Sequence, residues 1–538
     1  FWFLRRYVLP MRVAAGVTVL FLLLYGTLTG FPTATGRAVF MMICVLGARF
    51  TGRRYDRLSA LALSAMIQLL IRPVLLFESG FLMSYGTVLG IEIFSGGFQK
   101  LCESWNCRGI LQKSWMAFGT SAGIWFVTFP ILLCTYYEWN PYSTLVNALI
   151  LPFVSALILF AVAGCALFSV LSRFSLFLMG PVYYILIFYE QLCAAMVRMP
   201  GSTQISGCPD VWRVAGYYML LLLFSKIMSV RKRNREDMQD QKTGVPVQAI
   251  CRFVYRTPVI CLIFALLILL VPLPEPGGMS ITNLDVGQGD SCCIQVGGRT
   301  VLIDGGSSDV SAVGRYRIAS YLKYQGVRKI DCIFLTHSDA DHISGIAEIL
   351  EDSTQMGFVI GRIIMPDIRK KDENYINLER QITRSGIRLQ KMYAGEEVRI
   401  GDAVFQCLHP VPDYEWESEN DYSLVLLLKY GRFRGVFTGD LEETGEKEVL
   451  CHAASLIGKI DYLKVGHHGS KTSSAEAFIE TLRPAVSVVS VGAENHYGHP
   501  SEETIVRLQK YGSRIYRTDE CGAVQVTVTD VMRVQTYR

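Results

Sequence analysis

The sequence contains fifteen cysteines but no Cys-x-x-Cys pair, and several of these cysteines lie inside long apolar runs. It therefore lacks the ligand spacing of a zinc ribbon, and it indicates no disulfide framework, since cysteines in such runs are most simply small buried hydrophobic residues. Repeats and low-complexity segments are also lacking. The sequence begins at Phe1 inside an apolar region. We expect it to be part of a longer protein, so the missing signal peptide excludes no class of protein.

Charge is scarce and unevenly distributed. Charged residues make up 18% of the sequence and apolar residues 51%, and nearly all the long apolar runs precede Pro272 whereas the charge clusters follow it. This asymmetry is typical of a membrane half followed by a soluble half. The net charge of +5 is modest for the length and says little about nucleic acid. We predict a multi-span membrane domain over residues 1–272, a linker over 273–280 and a soluble domain over 281–538.

The membrane half alternates apolar segments with short basic or turn-rich connections. Since a bilayer core requires about 20 apolar residues per helix, about nine segments are candidate spans. They lie near residues 11–29, 37–50, 58–70, 80–94, 116–136, 152–171, 176–197, 215–229 and 253–271. Lysine and arginine next to spans stay on the cytoplasmic side, and basic connections recur at every second position. This alternation predicts a multi-pass protein of the cell membrane whose soluble domain is extracytoplasmic.

Some polar residues lie where a plain membrane anchor would have none. Arg72 and Glu78 flank a span junction, and Asn147 lies in a long apolar run shortly before Pro152. Polar groups at membrane depth persist where they line a cavity or pair with each other. One interpretation is therefore that Arg72, Glu78 and Asn147 line a channel. The alternative is that Arg72 and Glu78 lie at the membrane interface and extend their charges into water.

After the linker, short strands and helices interleave in two similar halves, which indicates an αββα sandwich with its site at strand ends. A predicted strand over 330–335 ends at a cluster of imidazoles and carboxylates, which are the ligand types that Zn²⁺ and Mn²⁺ accept. The cluster consists of His337, Asp339, Asp341 and His342. The alternative is a polar loop with solvated side chains.

Polar groups also follow other predicted strands. They are Asp440, the pair His467 and His468, the segment 495–500 with His499, and the segment from His409 to Asn420. Together with the first cluster, these groups hold seven of the eight histidines in the chain, and all of them follow the linker. A metal-dependent site explains this bias.

Two sets of motifs carry a resemblance to a known family. His-x-Asp-x-Asp-His at 337–342, Thr-Gly-Asp at 438–440 and His-His-Gly-Ser at 467–470 resemble the metallo-β-lactamase fold. Leu-Asp-Val-Gly-Gln-Gly-Asp at 284–290 and Leu-Ile-Asp-Gly-Gly at 302–306 resemble the version of this fold found in the ComEC family of DNA-uptake channel proteins.

The membrane half agrees with this resemblance. Thr-Gly-Phe-Pro at 29–32, the segment 80–85, and Asn147 followed by Pro152 are similar to the competence region of the family. The sequence departs from the family at Arg72, Glu78 and Leu82, and it lacks the family's amino-terminal spans and small oligonucleotide-binding-type domain.

The resemblance implies a polytopic α-helical membrane domain plus an αββα metallo-β-lactamase-fold sandwich. It implies a channel for single-stranded DNA in natural transformation, with an extracytoplasmic metal-dependent nuclease that acts on the strand not transported. The implied partners are DNA, the lipid bilayer and other DNA-uptake proteins, namely a DNA receptor and a cytoplasmic helicase, and a homo-oligomer is compatible with this reading. Two alternatives stay open: a membrane-anchored metallohydrolase without transport, and a metal-stabilised DNA-binding module without turnover.

The resemblance also implies two divalent metal ions, Mn²⁺ or Zn²⁺. His337 and Asp339 would hold the first ion, Asp341 and His342 the second, and Asp440 would bridge them. The commoner form of the motif has histidine at the position of Asp339, so the first site is richer in oxygen, which favours Mn²⁺.

Further roles follow from the same resemblance. His468 is favoured over His467 as a ligand, and the remaining ligand of the first ion is His409 or Asn420. Asp341 would orient a hydroxide, and His499 would hydrogen-bond the transferred phosphate. Behind the ligands, Asp304 and Asp290 would orient them. Lys464, Lys471 and the basic run 369–371 are assigned to the nucleic acid backbone, although the run 369–371 also fits a solvated surface.

Overall fold

The computed structural model describes residues 10–104, 110–240, 260–271, 277–412 and 418–538. The chain divides into two compact units, Phe1–Pro272 and Leu273–Arg538. Half of the predicted linker, residues 273–276, and the start of the ninth predicted span lie outside the described residues.

Apolar helices make up the first unit. They are α1 (Met11–Leu28), α2 (Thr33–Thr51), α3 (Arg57–Ile71), α4 (Ser79–Ser104), α5 (Ile110–Tyr136), α6 (Ser143–Leu167), α7 (Ser172–Val197), α8 (Val211–Asp240) and α9 (Ile260–Leu270). Among the described residues, five are long and apolar enough to cross a membrane, namely α1, α2, α6, α7 and Phe118–Tyr136 of α5. Each of the nine predicted spans overlaps one of the helices α1 to α9, because a helix satisfies its own backbone hydrogen bonds within an apolar run.

Short elements connect the helices of this unit. A 3₁₀ turn at Pro73–Phe77 joins α3 to α4, and β1 (Glu138–Trp139) pairs antiparallel with β2 (Gln204–Ile205). Near the start of α8, the Arg213 guanidinium donates to the carbonyls of Ile268 at 2.6 Å, Leu269 at 2.9 Å and Val271. The last carbonyls of a helix have no partner within the helix. Arg213 therefore caps the carboxyl end of α9 and ties it to α8.

Two large β-sheets and one two-stranded sheet form the second unit. The strands are β3 (Met279–Asn283), β4 (Cys292–Val296), β5 (Arg299–Ile303), β6 (Lys329–Ile330), β7 (Cys332–Phe334), β8 (Val359–Ile360), β9 (Arg362–Pro366), β10 (Arg388–Met392), β11 (Glu397–Ile400), β12 (Ala403–His409), β13 (Val425–Tyr430), β14 (Phe433–Phe437), β15 (Tyr462–Lys464), β16 (Val486–Val489), β17 (Arg514–Arg517), β18 (Ala523–Val528) and β19 (Met532–Tyr537). One large sheet has the order β10-β9-β7-β5-β4-β3-β18-β19, and the other large sheet runs from β11 to β17 in sequence order. The two-stranded sheet pairs β6 with β8 in parallel. Strands β5, β7, β9 and β10 run parallel, as do β14 to β17.

Helices cover the outer faces of the sheets. They are α10 (Ala319–Tyr324), α11 (Ala340–Met356), α12 (Glu373–Arg384), α13 (Glu443–Ile457), α14 (Glu476–Leu482), α15 (Glu502–Lys510) and α16 (Thr518–Cys521). Between the sheets, Phe334 packs against Phe405 and Phe437 against Tyr462. A second core buries apolar residues of α13, α14 and α15 against the other face of the seven-stranded sheet. Parallel strands buried on both faces read as continuous apolar runs, and the predicted αββα sandwich is confirmed.

Candidate metal centre

Polar residues that follow four strands converge at one edge of the sandwich. Asp304 follows β5, the segment 336–342 follows β7, Asp440 follows β14, and His468 lies in the turn after β15. The first two strands belong to one sheet and the last two to the other. The carboxyl ends of parallel strands share an edge, and open α/β sheets bind ligands there. The topology therefore gathers chemically active side chains from distant segments.

Three residues of this edge have left-handed backbone conformations. The φ angles of Asp304, His467 and His468 are 59°, 46° and 50°. Such conformations cost of order 1 kcal/mol or more for residues other than glycine, and they cluster at functional sites. The side chains of Asp304, His467 and His468 all lie beside the cluster described next.

His337, His342 and Asp440 form a first group, whose ligand atoms lie within 4.8 Å of one another. His342 Nε2 is 3.2 Å from Asp440 Oδ1, and His337 Nε2 is 3.9 Å from Asp440 Oδ2. The 3.2 Å approach lacks hydrogen-bond geometry, so in the described structure both Nε2 atoms and Asp440 Oδ1 are buried without a hydrogen-bond partner. Buried polar atoms are normally paired, and a divalent cation accepts these three donors. The residues present therefore fit a metal ion.

Asp341, His342 and His468 form a second group of the same size, which shares His342 with the first. His468 Nε2 is 3.3 Å from Asp341 Oδ2, and His468 Nδ1 is 2.9 Å from the carbonyl of Ser490. Since a carbonyl only accepts, Nδ1 carries the proton and donates, which leaves Nε2 available as a ligand when the ring is neutral. The two groups together form one continuous cluster.

Asp304 lies behind the ligands. Its Oδ1 accepts a hydrogen bond from the Thr336 amide at 2.8 Å, and its Oδ2 accepts from the Thr336 hydroxyl at 2.8 Å. Oδ2 is also 2.9 Å from His342 Nδ1. A carboxylate in this position holds the imidazole so that Nε2 faces the cluster.

Lys464 requires a correction. It was predicted to contact nucleic acid, but its side chain is buried, and its Nζ lies 2.7 Å and 2.8 Å from the two carboxylate oxygens of Asp290. Asp290 Oδ1 is in turn 3.8 Å from His468 Nδ1. A buried and paired ammonium cannot reach a DNA backbone, so Lys464 supports the cluster from behind. Lys471, in contrast, is exposed.

The electrostatics of the cluster favour ionised carboxylates. Burial alone would raise the pKa of Asp440, but His342 and His468 hold it well below its usual value. Burial would also raise the pKa of Asp341, but His468 and His342 lower it to about 2. Burial lowers the pKa of His337, whereas Asp440 and Asp304 raise the pKa of His342 against burial. Because metal ligands must be deprotonated, a cation bound at His342 would displace a proton.

The two candidates for the remaining ligand of the first ion are not in these groups. His409 is buried, and its Nε2 donates to the carbonyl of Asp421 at 2.7 Å. Asn420 Nδ2 donates to Glu442 Oε1 at 3.2 Å. Within the described residues, His409 joins no group of histidine and acidic side chains that could hold a metal, because a histidine next to a strand end can equally hydrogen-bond the neighbouring loop. Asn420 stays a prediction.

The other predicted residues lie around the cluster. His467 Nε2 is 3.8 Å from Asp440 Oδ2, and its Nδ1 is 3.3 Å from Glu442 Oε1. The His499 ring centroid is 5.5 Å from that of His467. Burial, together with His467, lowers the pKa of His499 to about 4. Asp339 Oδ2 is 3.7 Å from His337 Nε2.

Sequence reasoning missed an acidic group beside the cluster. Asp372 and Glu419 join Asp339 within 4.8 Å of one another, and Ser338 Oγ donates to Asp372 Oδ2 at 2.8 Å. Asp372 also caps the amino end of α12, and a capping aspartate is all that its place before a helix indicates. Asp372 and Glu419 border a cavity of about 100 Å³, which also contacts His337 and the basic loop 370–371.

The predicted channel residues are on the surface of the first unit. Arg72, Glu78 and Asn147 are exposed, and Arg72 and Glu78 flank the 3₁₀ turn between α3 and α4. Exposure fits both the channel and the interface interpretation of Arg72 and Glu78.

A different polar network lies inside the first unit. Arg37 Nε in α2 donates to Ser84 Oγ in α4 at 2.8 Å. Tyr85 OH accepts from Gln68 Nε2 of α3 at 3.0 Å and lies 2.8 Å from Ser64 Oγ. Ser84 and Tyr85 belong to the segment 80–85 that resembles the competence region. Each member of this network is a single polar residue within an apolar run, which gives too weak a signal for sequence reasoning to single out.

Family models of known proteins match part of each unit. A family model described as "Competence protein" matches residues 1–230, and one described as "Metallo-beta-lactamase superfamily" matches residues 284–386. ComE operon protein 3 of Bacillus subtilis is 29% identical, with 98% of this chain and 65% of that protein aligned. Recombination protein 2 of Haemophilus influenzae is 26% identical, with 97% of this chain and 64% of that protein aligned. This chain therefore spans slightly less than two thirds of either relative.

Among solved structures, the metallo-β-lactamase fold protein YhfI of Bacillus subtilis is 12% identical. Its alignment covers 45% of this chain and 96% of that chain, with a TM-score of 0.32.

Proposed function

Because the chain belongs to the ComEC family of competence proteins, we propose that it conducts single-stranded DNA through the cell membrane in natural transformation, while its second unit hydrolyses the strand that is not transported. One observation carries the hydrolytic part: buried, unpaired ligand atoms of His337, His342 and Asp440 face one another. Structural polar networks leave few such atoms unpaired, whereas a metal-dependent hydrolase needs them.

Two divalent ions would be held by this cluster, the first by His337 and Asp339 and the second by Asp341, His342 and His468, with Asp440 between them. When bound, such ions polarise a phosphoryl oxygen and lower the pKa of water. Asp339, 3.7 Å from His337, adds a carboxylate to the first group and favours Mn²⁺ over Zn²⁺.

The side chains around the cluster would position the water and the phosphodiester for hydrolysis. Asp341 is ionised at neutral pH, since its pKa is about 2, and it accepts a hydrogen bond from the attacking water and so orients it. His499, with a pKa of about 4, is neutral and donates one hydrogen bond to the phosphate. General acid–base groups must lie within hydrogen-bond reach of the atom they serve.

The DNA strand would approach along the basic side of the small cavity. Lys371 is paired with Glu379 at 3.1 Å, so Lys370 is the better candidate to contact a phosphate there, and the exposed Lys471 is a second. Each such contact releases counterions from the nucleic acid and so adds affinity that falls with salt.

The basic connections of the first unit support an extracytoplasmic second unit, where incoming duplex DNA would be met. A DNA receptor outside and a helicase inside would hand over and pull the transported strand, and a homo-oligomer is compatible with this arrangement. These partners are inferred from the family.

The hydrolase is tested with the full chain in detergent, Mn²⁺ and end-labelled single-stranded DNA. We expect Asp440→Asn and Asp341→Ala to abolish cleavage and lower the bound metal measured by mass spectrometry. Asp530→Asn, which removes an exposed carboxylate from the turn between β18 and β19, is the matched control. A protein that binds metal and DNA without cleaving it would instead be a binding module.

Transport is tested separately in transforming cells. We expect Arg37→Gln to abolish uptake of labelled DNA at normal expression, because it breaks the partly buried contact to Ser84, while Arg173→Gln, at an exposed arginine of α7, serves as control. Unchanged uptake in Arg37→Gln cells would favour a membrane-anchored hydrolase without a channel.

A further inference from the structure

Four arginines converge at the sheet ends opposite the metal centre. Arg299, Arg362 and Arg388 are the first residues of β5, β9 and β10, and Arg362 and Arg388 are direct partners in the sheet. Arg399 comes from β11 of the other sheet. With Asp331 they line a cavity of about 380 Å³, here named the arginine pocket.

The arginine pocket is separate from the metal centre. Arg299 begins β5, whereas Asp304 follows the end of that strand, and a strand rises about 3.3 Å per residue. The two residues are therefore about 16 Å apart along the strand. A group bound in the pocket would not reach the metal ligands.

Positive charge in the pocket exceeds negative charge. Asp331 is the one carboxylate among the described lining residues, and it already pairs with Arg299 at 3.0 Å and with Lys329 at 2.9 Å. Arg362 donates to the neutral Gln390 at 3.3 Å. In the described part of the chain, no carboxylate pairs with Arg388 or Arg399.

Such an arrangement is unfavourable without an anion. Like charges on neighbouring strands destabilise a sheet, and arginines without a ligand are normally spread over a solvated surface. Here they surround a concave space. The planar guanidinium matches the geometry of phosphate and binds it through two parallel hydrogen bonds. The pocket therefore has the chemistry of a phosphate site.

The row of arginines indicates a polyanion. Arg299, Arg362 and Arg388 lie on strands spaced about 4.8 Å apart, with β7 between β5 and β9, so the row extends over about 14 Å. Ile400 is the one apolar side chain in the lining, so the pocket offers charge for a phosphate chain and little apolar surface for the acyl chains of a lipid.

We propose that the arginine pocket binds the sugar-phosphate backbone of single-stranded DNA at a site separate from the metal centre. The proposal rests on the proposed function in DNA handling, but not on cleavage. The pocket would hold the strand by charge, while hydrolysis takes place at the opposite sheet ends. Because its contacts go to phosphates, binding would be independent of base sequence.

The test uses the full chain in phosphatidylcholine nanodiscs with fluorescein-labelled oligothymidylate. EDTA is present, so that metal and cleavage play no part, and binding is followed by fluorescence anisotropy. We expect Arg388→Ala combined with Arg399→Ala to weaken binding at least 10-fold at low salt. The slope of log affinity against log salt should become shallower by about 1.4, because each lost phosphate contact in a single strand contributes about 0.7.

The matched control is Arg514→Ala combined with Arg533→Ala. It removes the same charge from β17 and β19, which lie at the opposite edges of the two sheets, from arginines that are also exposed. We expect this control to change affinity less than 2-fold. Equal loss in both double variants, or an unchanged salt slope in the first, would overturn the proposal.

A second arm uses vesicles of phosphatidylglycerol. If the pocket variant lost vesicle flotation but kept DNA affinity, the site would bind lipid headgroups and the proposal would fall. The outcome is distinct from the hydrolase test, since binding is measured in EDTA, without metal or cleavage, and loss of affinity in the pocket variant is observable even if no cleavage is ever found.

Discussion

Lys464 and Asp290 form an ion pair that is almost fully buried, with 5% of each side chain exposed. Removing one partner of such a pair leaves an uncompensated charge and costs about 3–5 kcal/mol, whereas replacing both is often neutral. We predict that Lys464→Met lowers the free energy of unfolding of the second unit by about 3–5 kcal/mol, and that adding Asp290→Leu restores most of it. Calorimetric midpoints of the full chain in detergent would measure this.

A second readout separates stability from support of the site. If the pair positions His468, the double variant should fold but retain less metal than the wild-type protein. Full metal retention in the stable double variant would contradict that role.

At the residue scale, the sequence was informative where ligands lie close together in it. The segment 336–342 predicted a cluster because a strand end and four ligands are adjacent. Lys464 was misassigned because its partner Asp290 is 174 positions away in the sequence. His409 was misassigned because its ring donates a hydrogen bond to the carbonyl of Asp421. Residue type alone does not reveal burial.

The contact between α8 and α9 depends on one side chain. Arg213 donates to the carbonyls of Ile268 and Leu269, and hydrogen bonds from charged donors are worth about 1.5–3 kcal/mol each. We predict that Arg213→Gln destabilises the end of α9 by about 3 kcal/mol, seen as faster amide hydrogen exchange there. The exposed Arg198→Gln at the end of α7 is the control, and equal exchange rates in the two variants would refute the cap.

Glu446 links α13 to the start of α14. Its carboxylate accepts hydrogen bonds from the amides of Ser474 at 2.6 Å and Ala475 at 2.7 Å, yet burial raises its pKa from 4.5 to about 7. The fold therefore holds a proton that the unfolded chain releases at lower pH. Stability attributable to this group is fully present below pH 4.5 and falls by about 3 kcal/mol as pH rises through 7.

The corresponding variant is Glu446→Gln, which mimics the protonated acid at every pH. We predict that the thermal midpoint of the wild-type protein falls relative to that of Glu446→Gln between pH 5 and 8. Glu503→Gln, an exposed position on α15, should track the wild type. A midpoint difference that stays constant with pH would rule out titration of Glu446.

At the element scale, helices were easier to locate than to delimit. The sixth span was predicted to start at Pro152, but α6 begins at Ser143 and contains Pro152 in its interior. Pro130 and Pro181 likewise lie inside α5 and α7. In soluble proteins a proline usually ends or kinks a helix. In membrane helices the carbonyls that a proline leaves unpaired find other partners, so Pro152 does not mark the start of α6.

The location of the second unit is a property of the whole molecule. Cys451 is a free, exposed cysteine on α13. If the unit is extracytoplasmic, as the basic connections predict, a membrane-impermeant maleimide should modify Cys451 in intact cells, as identified by peptide mass spectrometry. Labelling that requires permeabilised cells would invert the topology, and Cys451→Ser controls for the assignment of the modified peptide.

The sandwich class followed from the interleaved strand and helix pattern, but the order of its strands did not. β3 pairs with β18, and Asn283 and Val524 are 241 positions apart. Local pattern determines the type of an element, whereas pairing at that distance depends on the packing of the complete core.

The pairing of β3 with β18 has a consequence for biosynthesis. While the ribosome is still translating α13 to α15, β3 carries one bare flank, and unpaired flanks of this kind invite pairing with other chains. The eight-stranded sheet is completed only after β18, which ends at Val528, has left the exit tunnel of the ribosome. A nascent chain stalled before residue 523 lacks this pairing and should therefore depend on chaperones to stay soluble.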